Sequence, residues 1–336
     1  MEAPGAVRAG EALDLLAGGT DREALGPLAG RPVLTVRLGG GDDDHRLAAA
    51  TRDLPCVTVG VGRPGGDPPA LDVLLTAAPD PPAPWVAAPA GDVVAAVHRS
   101  PAAAVALVQL LRLGEGLTVA DGLVAESLAY GLLQGGPVFR AWLGSRPARA
   151  PRPAPPGPPV VVERSGGTVT ITLDRPAVRN AYDAAMRDAL VEALHVVLAD
   201  DAVEVAEVRG NGPSFCSGGH LDEFGTTPDP VTAHLIRTTR SAAALVAAAA
   251  GRVRFRVHGP CVGAGVELPA FAGRVVAAPD ATFRLPEVGF GLVPGAGGTV
   301  GVPRRIGRQR AAWLGLTGAV VDARTALAWG LVDEIG

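Results

Sequence analysis

Along residues 161–336 the chain switches repeatedly between a period of two and a period near 3.6. The run TVTITL in Gly167 to Leu173 alternates as a strand, and Ala181 to Leu198 places Met186, Leu190, Leu194 and Val197 on one helical face. Val203 to Arg209, Arg252 to Val257 and Arg274 to Ala278 read as further strands, with helices near 308–316 and 322–330. Strand and helix in regular alternation predict an α/β architecture, a sheet covered by helices.

The earlier half carries a weaker version of the same pattern. PVLTVRL, CVTVGVG and DVLLTAA within 31–78 are strand-like, with HRLAAATRDL as a helix between the first two. Residues 92–112 and 117–143 read as helices, with Leu107, Leu110 and Leu111 at helical spacing. The run Gly-Asp-Asp-Asp-His at 41–45 reads as a solvated loop rather than a metal site. Between the halves, ARAPRPAPPGPPV at 148–160 holds six prolines in thirteen positions, a linker that can be neither helix nor central strand.

Composition narrows the class further. The 336 residues are 48% hydrophobic, enough for a sizeable core, and the formal net charge of −4 offers no footprint for nucleic acid. All 30 basic residues are arginine. The N-terminus shows no basic segment leading into an apolar run, and no uninterrupted stretch reaches a membrane span. Cys56, Cys216 and Cys261 are odd in number and lack metal-ligand spacing, so a reducing cytoplasm, with no membrane partner, is expected.

Four segments of the second half carry candidate chemistry. Ser214-Phe215-Cys216-Ser217-Gly218-Gly219-His220-Leu221-Asp222 follows a strand, and its glycine pair can turn a backbone N–H toward a ligand. Val257 to Leu268 (VHGPCVGAGVEL) runs from strand through glycine into an apolar helix start, where free N–H groups suit a developing negative oxygen. FRLPEVG at 283–289 carries a second acid, and GLVPGAGGT at 291–299 is glycine-rich. A phosphate loop is excluded, because the GK[ST] ending is absent.

In order and spacing these blocks resemble the crotonase, or enoyl-CoA hydratase/isomerase, superfamily. The likeness includes LDRPAVRNA at 173–181, PRRIG at 303–307 and the closing LTG…DARTALAWGLVDEI. It implies an α/β fold with a crotonase-like ββα superhelix core over 161–336. In front of it, 1–90 is expected to be a degenerate, crotonase-like α/β region, since VLLTAAPD echoes VVAAPDAT at 275–282. Residues 91–147 resemble the family's C-terminal helical tail, which is absent after Gly336; they either fold onto the core as its lid, within the chain or across an oligomer, or pack only on each other. Tyr130, Phe139 and Trp142 are the aromatic candidates for lining the acyl pocket or packing that lid.

The resemblance further implies an acyl-CoA thioester substrate and an enolate-like intermediate. It puts the oxyanion hole at the N–H groups of Gly219 and Ala264. It gives Glu267 water activation and Glu287 proton delivery, and lays CoA and acyl chain along Arg179, Ala181, Ser217, His220, Leu221 and Asp222. No metal and no separate cofactor are called for, CoA entering as part of the substrate, and a homo-oligomer, such as a trimer, is implied. Hydration is the leading reaction; isomerisation, hydrolysis, decarboxylation, cofactor-free dioxygenation and a non-catalytic role stay open. His220 stands where the family usually has Asp, and Pro269 where Ala is commoner, which is tolerable only near a helix start.

Overall fold

The computed structural model describes residues 5–17, 22–147 and 157–336. Its larger sheet has six strands, in the order Glu334–Ile335, Arg274–Ala277, Val253–Val257, Val205–Gly210, Thr168–Leu173 and Val160–Ser165. Neighbours are parallel except for the last pair, a hairpin. A smaller sheet pairs Pro260–Val262 with Thr282–Arg284 in parallel, and the latter with Val321–Asp322 antiparallel. Two successive turns thus run from a strand of the large sheet, Val253–Val257 or Arg274–Ala277, to one of the small sheet and on into a helix. The corner after Val257 is made by Gly259 at φ 53, where a side chain would strike Pro213 O.

Residues before the linker form a five-stranded, all-parallel sheet of Val7–Arg8, Val33–Arg37, Val57–Val61, Val73–Thr76 and Val86–Ala87, in sequence order. Val57–Val61 is buried along its whole length, as expected of a strand covered on both faces. Helices Ala9–Ala17 and Asp42–Thr51 cover one face. The other joins helices Ala90–Arg99 and Pro101–Gly114 and the core in one continuous apolar cluster. The run echoing VVAAPDAT holds the same next-to-edge place in this sheet as Arg274–Ala277 in the large one.

Four expectations change in detail. Asp42–Asp44 are not a loop but the first turn of a helix, where their charge meets exposed N–H groups; Asp44 also accepts from Gly40 N at 2.7 Å. The helix expected over 92–112 breaks at Ser100, because Pro101 opens a new helix bent 113° from the first. That over 117–143 breaks at Gly135-Gly136, giving Val119–Gln134 and Pro137–Ser145. Of the proline-rich segment, 148–156 lies outside the described residues, and Val160 already belongs to a strand.

Charge as well as apolar surface joins the halves. Asp72, 1% exposed, sits between Arg112, which donates at 2.8 Å, and Arg308 of the core helix Arg308–Thr317 at 3.1 Å. Arg310 of that helix donates to Pro81 O at 3.1 Å. Among the described residues no single helix is long and apolar enough to cross a membrane.

Candidate active site

Glycines bring two backbone segments into contact. Gly263, at φ 50, ends the strand Pro260–Val262 and starts the four-residue helix Ala264–Glu267. Pro269 stops that helix and opens the turn Pro269–Phe271, the helix-start position at which proline costs no hydrogen bond. A side chain on Gly265 would strike Cys216 O, and one on Gly218 would lie 2.9 Å from Val262 O. Only glycine at both lets the 216–219 strand lie against the helix start.

The N–H of Ala264 therefore faces outward at a helix N-terminus. Tyr182 N donates to Gly218 O at 2.8 Å and His220 N to Tyr182 O at 3.2 Å, which turns the intervening Gly219 N–H away from the bridge. Asn180, fully buried, fixes the approach to this strand: it accepts from Arg175 N and donates to the carbonyls of Asn211, Ser214 and Phe215 at 2.9–3.1 Å.

Two carboxyls converge on the same place. A side-chain carbon on Gly263 would lie 2.6 Å from Glu287 Oε1 and 3.7 Å from Glu267 Oε1. Glu267 Oε2 accepts from Ala296 N at 2.7 Å and Gly298 N at 2.9 Å, which orients the carboxyl and leaves Oε1 toward Glu287. Glu287 Oε2 is buried and, among the described residues, has no partner. Burial lifts Glu267 from 4.5 to about 7, with its two N–H donors holding it back. Burial, then the charge of Glu267, raises Glu287 well above the usual carboxylate range.

A third glutamate, which the motifs do not reveal, comes from the other half of the chain. Glu126, on Val119–Gln134, accepts from Gly297 N at 2.7 Å, Thr299 N at 2.8 Å and Thr299 Oγ1 at 2.7 Å. Successive N–H groups of the glycine-rich loop thus go alternately to Glu267 and Glu126. Burial, then the nearby charge of Glu267, raises Glu126 to about 8. Its sequence signal is faint: a single acid inside GLVAESLAYGLL.

A cavity of about 200 Å³ is lined by Glu267, Glu287, Gly219, Ala264 and His220, and also by Tyr130 and Arg237. A second, of about 350 Å³, meets it at Gly219, Phe224 and Glu287 and is lined by Arg99, Ser217, Leu221 and Arg284. The sequence model for enoyl-CoA hydratase/isomerase matches residues 163–336, just over half the chain.

The chain belongs to the enoyl-CoA hydratase/isomerase family.

Among its relatives, the 2,3-dehydroadipyl-CoA hydratase of Escherichia coli is 34% identical over 176 residues, 52% of this chain and 68% of that protein. An enoyl-CoA isomerase/hydratase of Mycosarcoma maydis is 32% identical, over 50% of this chain and 65% of its own length. The chain therefore spans about two thirds of these curated relatives. The crystal structure of an enoyl-CoA hydratase from Thermoplasma volcanium superposes with a TM-score of 0.50 at 31% identity, over 54% of this chain and 72% of that one.

The remaining residues singled out by the crotonase resemblance are not all at the cavities. Arg179 and Ala181 line neither; Arg179 is exposed, and its carbonyl accepts Ser217 N at 3.0 Å. Asp222 pairs with Arg146 at 2.9 Å, tying the end of helix Pro137–Ser145 to the 217–222 loop. His220 precedes the turn Leu221–Glu223 without capping it, and faces the smaller cavity. Tyr130 lines that cavity, whereas Phe139 and Trp142 pack against each other and Trp142 stacks on Phe290 at 4.8 Å.

Proposed function

We propose that this family member is an enoyl-CoA hydratase, adding water across the 2,3 double bond of an acyl-CoA thioester. The observation that carries the reading is the pair of buried carboxyls facing one point with opposite fittings. Glu267, oriented by two N–H groups and titrating near neutral, takes a proton from water, whose oxygen bonds to C3. The electron pair of the double bond shifts to form C1–C2 double-bond character and charge on the thioester oxygen. The Gly219 and Ala264 N–H groups receive that charge, each contributing about 3–4 kcal/mol to lowering the barrier. Glu287, kept protonated by burial, delivers its proton to C2 as the carbonyl re-forms. The larger cavity, with Arg99 and Arg284, accommodates part of CoA; without lysine, its phosphates meet only arginine.

In this reading the enzyme is a cytoplasmic homo-oligomer needing no cofactor beyond CoA in the substrate, and residues 91–147 serve as its lid. Isomerisation is the second reading, favoured by the unpartnered proton-bearing Glu287, since moving one proton between C2 and C4 requires one carboxyl. Glu267→Gln and Glu287→Gln separate the two. Hydration, followed as a gain of one water by mass, is expected to fall by about 100-fold or more in each. Turnover without water gain that survives Glu267→Gln assigns the isomerase instead.

A further inference from the structure

The wall of the smaller cavity is unlike a slot for an alkyl chain. Among its described lining residues there is no Leu, Ile, Val or Met; aromatic rings, alanines and glycines alternate with polar groups. Arg237, on helix Pro230–Thr239, reaches this wall half-buried. Its Nε donates to Ser127 Oγ at 3.0 Å and its Nη2 to Ser127 O at 3.2 Å, and the guanidinium lies 4.6 Å from the centre of the Tyr130 ring.

What Arg237 lacks is a counter-ion. Arg187, on the same wall, is paired with Asp188 at 2.9 Å, and neighbouring Arg240 with Asp188 and Glu192. Among the described residues no carboxylate pairs with Arg237, and its Nη1 makes no hydrogen bond. The acid whose charge reaches it, Glu126, is already taken up by Gly297 and Thr299. A half-buried guanidinium without a counter-ion is only partly compensated for the water it has lost, and burial accordingly lowers its pKa. Gln134 stands on the same wall, and its buried amide oxygen has no partner among the described residues, so turning the amide over, which presents its NH2 as a donor, breaks no hydrogen bond of that oxygen. The other cavity acids, Asp183 and Glu223, each accept a helix-start N–H, from Met186 at 2.7 Å and Ala184 at 2.9 Å.

We propose that Arg237, with Tyr130 and Gln134 beside it, receives a carboxylate at the far end of the acyl chain, so that the substrates are CoA thioesters of dicarboxylic acids. The proposal rests on the hydratase reading only for where the thioester lies, and its test uses saturated thioesters that cannot be hydrated. Calorimetry on the full chain compares adipyl-CoA and glutaryl-CoA with hexanoyl-CoA and valeryl-CoA. The dicarboxylyl member of the better pair is expected to bind at least about tenfold more tightly. Arg237→Met is expected to abolish the difference between the two members of a pair, while Arg237→Lys retains part of it. Because Arg237 also braces Ser127, the Lys variant separates loss of charge from loss of packing. Equal or tighter binding of the alkyl thioesters by the unmodified protein overturns the proposal, as does a preference that persists in Arg237→Met. Preserved preference for dicarboxylyl thioesters without any hydration counts against the hydratase alone.

Discussion

Glu126, Glu267 and Glu287 are 2%, 2% and 8% exposed, and each is held differently: by three donors, by two, and on one oxygen by none. Their pKa values bear on stability as well as catalysis. Glu126 is raised from 4.5 to about 8 and Glu267 to about 7, so above pH 4.5 the folded chain retains protons that the unfolded chain has released. This contribution is fully present below pH 4.5 and is lost as pH rises through 7 and 8. The melting temperature is therefore expected to fall between about pH 5 and about pH 8.5, and a flat profile contradicts this. On the proposed mechanism, hydration is expected to run the other way at its acid limb, rising as Glu267 ionises near pH 7, a limb that Glu267→Gln removes. In Glu126→Gln an amide NH2 faces the N–H donors of Gly297 or Thr299. A loss of about 1–3 kcal/mol in denaturant unfolding is expected.

At the scale of elements, the helix Val119–Gln134 shows why pattern alone misleads. It buries Gly122, Glu126, Ser127 and Gly131 along with Leu133, while Leu128 and Leu132 are exposed. Its small residues admit neighbours closely: a side chain on Gly122 would lie 3.0 Å from Val300. Tyr130 occupies the matching space above the glycine-rich loop, where a side chain on Gly295 would come within 2.6 Å of its ring. Gly295→Ala is expected to displace Tyr130 and lower kcat/KM by about tenfold, at a cost of about 1–3 kcal/mol in stability. Gly144→Ala, in open space on helix Pro137–Ser145, is the control and should leave kcat/KM unchanged while raising stability by up to about 1 kcal/mol. Equal kinetics in both variants would detach Tyr130 from the reaction. Four strands of the larger sheet were legible to within a few residues, because each is specified by its own side chains; Val160–Ser165, Thr282–Arg284 and the two-residue strands Val321–Asp322 and Glu334–Ile335 were not. The helix breaks at Ser100 and at Gly135-Gly136 were marked by the following prolines but masked by a continuing apolar period.

The whole molecule is bound across the linker by contacts of both kinds. Arg308 and Arg310, 6% and 4% exposed, are covered by residues 70–85 and by the helices of 90–114. Glu126, Tyr130 and Arg146 reach the glycine-rich 291–299 loop and the 217–222 loop themselves. Removing residues 1–150 would open apolar surface and leave these arginines without Asp72, Pro81 O and Ala70 O. The core alone is expected to be insoluble or to have lost hydration, measured in the soluble fraction by mass gain. Undiminished activity from a soluble core would refute the lid.

Local spacing in the chain was enough to reveal the α/β periods, and the ordered motifs that carry the family resemblance singled out Glu267, Glu287, Gly219 and Ala264, because each motif depends on residues a few positions apart. Glu126 and Arg237 could not be seen that way. Glu126 meets its partners 171 and 173 residues further along the chain, and Arg237 meets Ser127 at a separation of 110. A buried acid and an unpaired guanidinium acquire meaning only from what packs around them, and that packing exists only once the two halves of the chain have closed on each other.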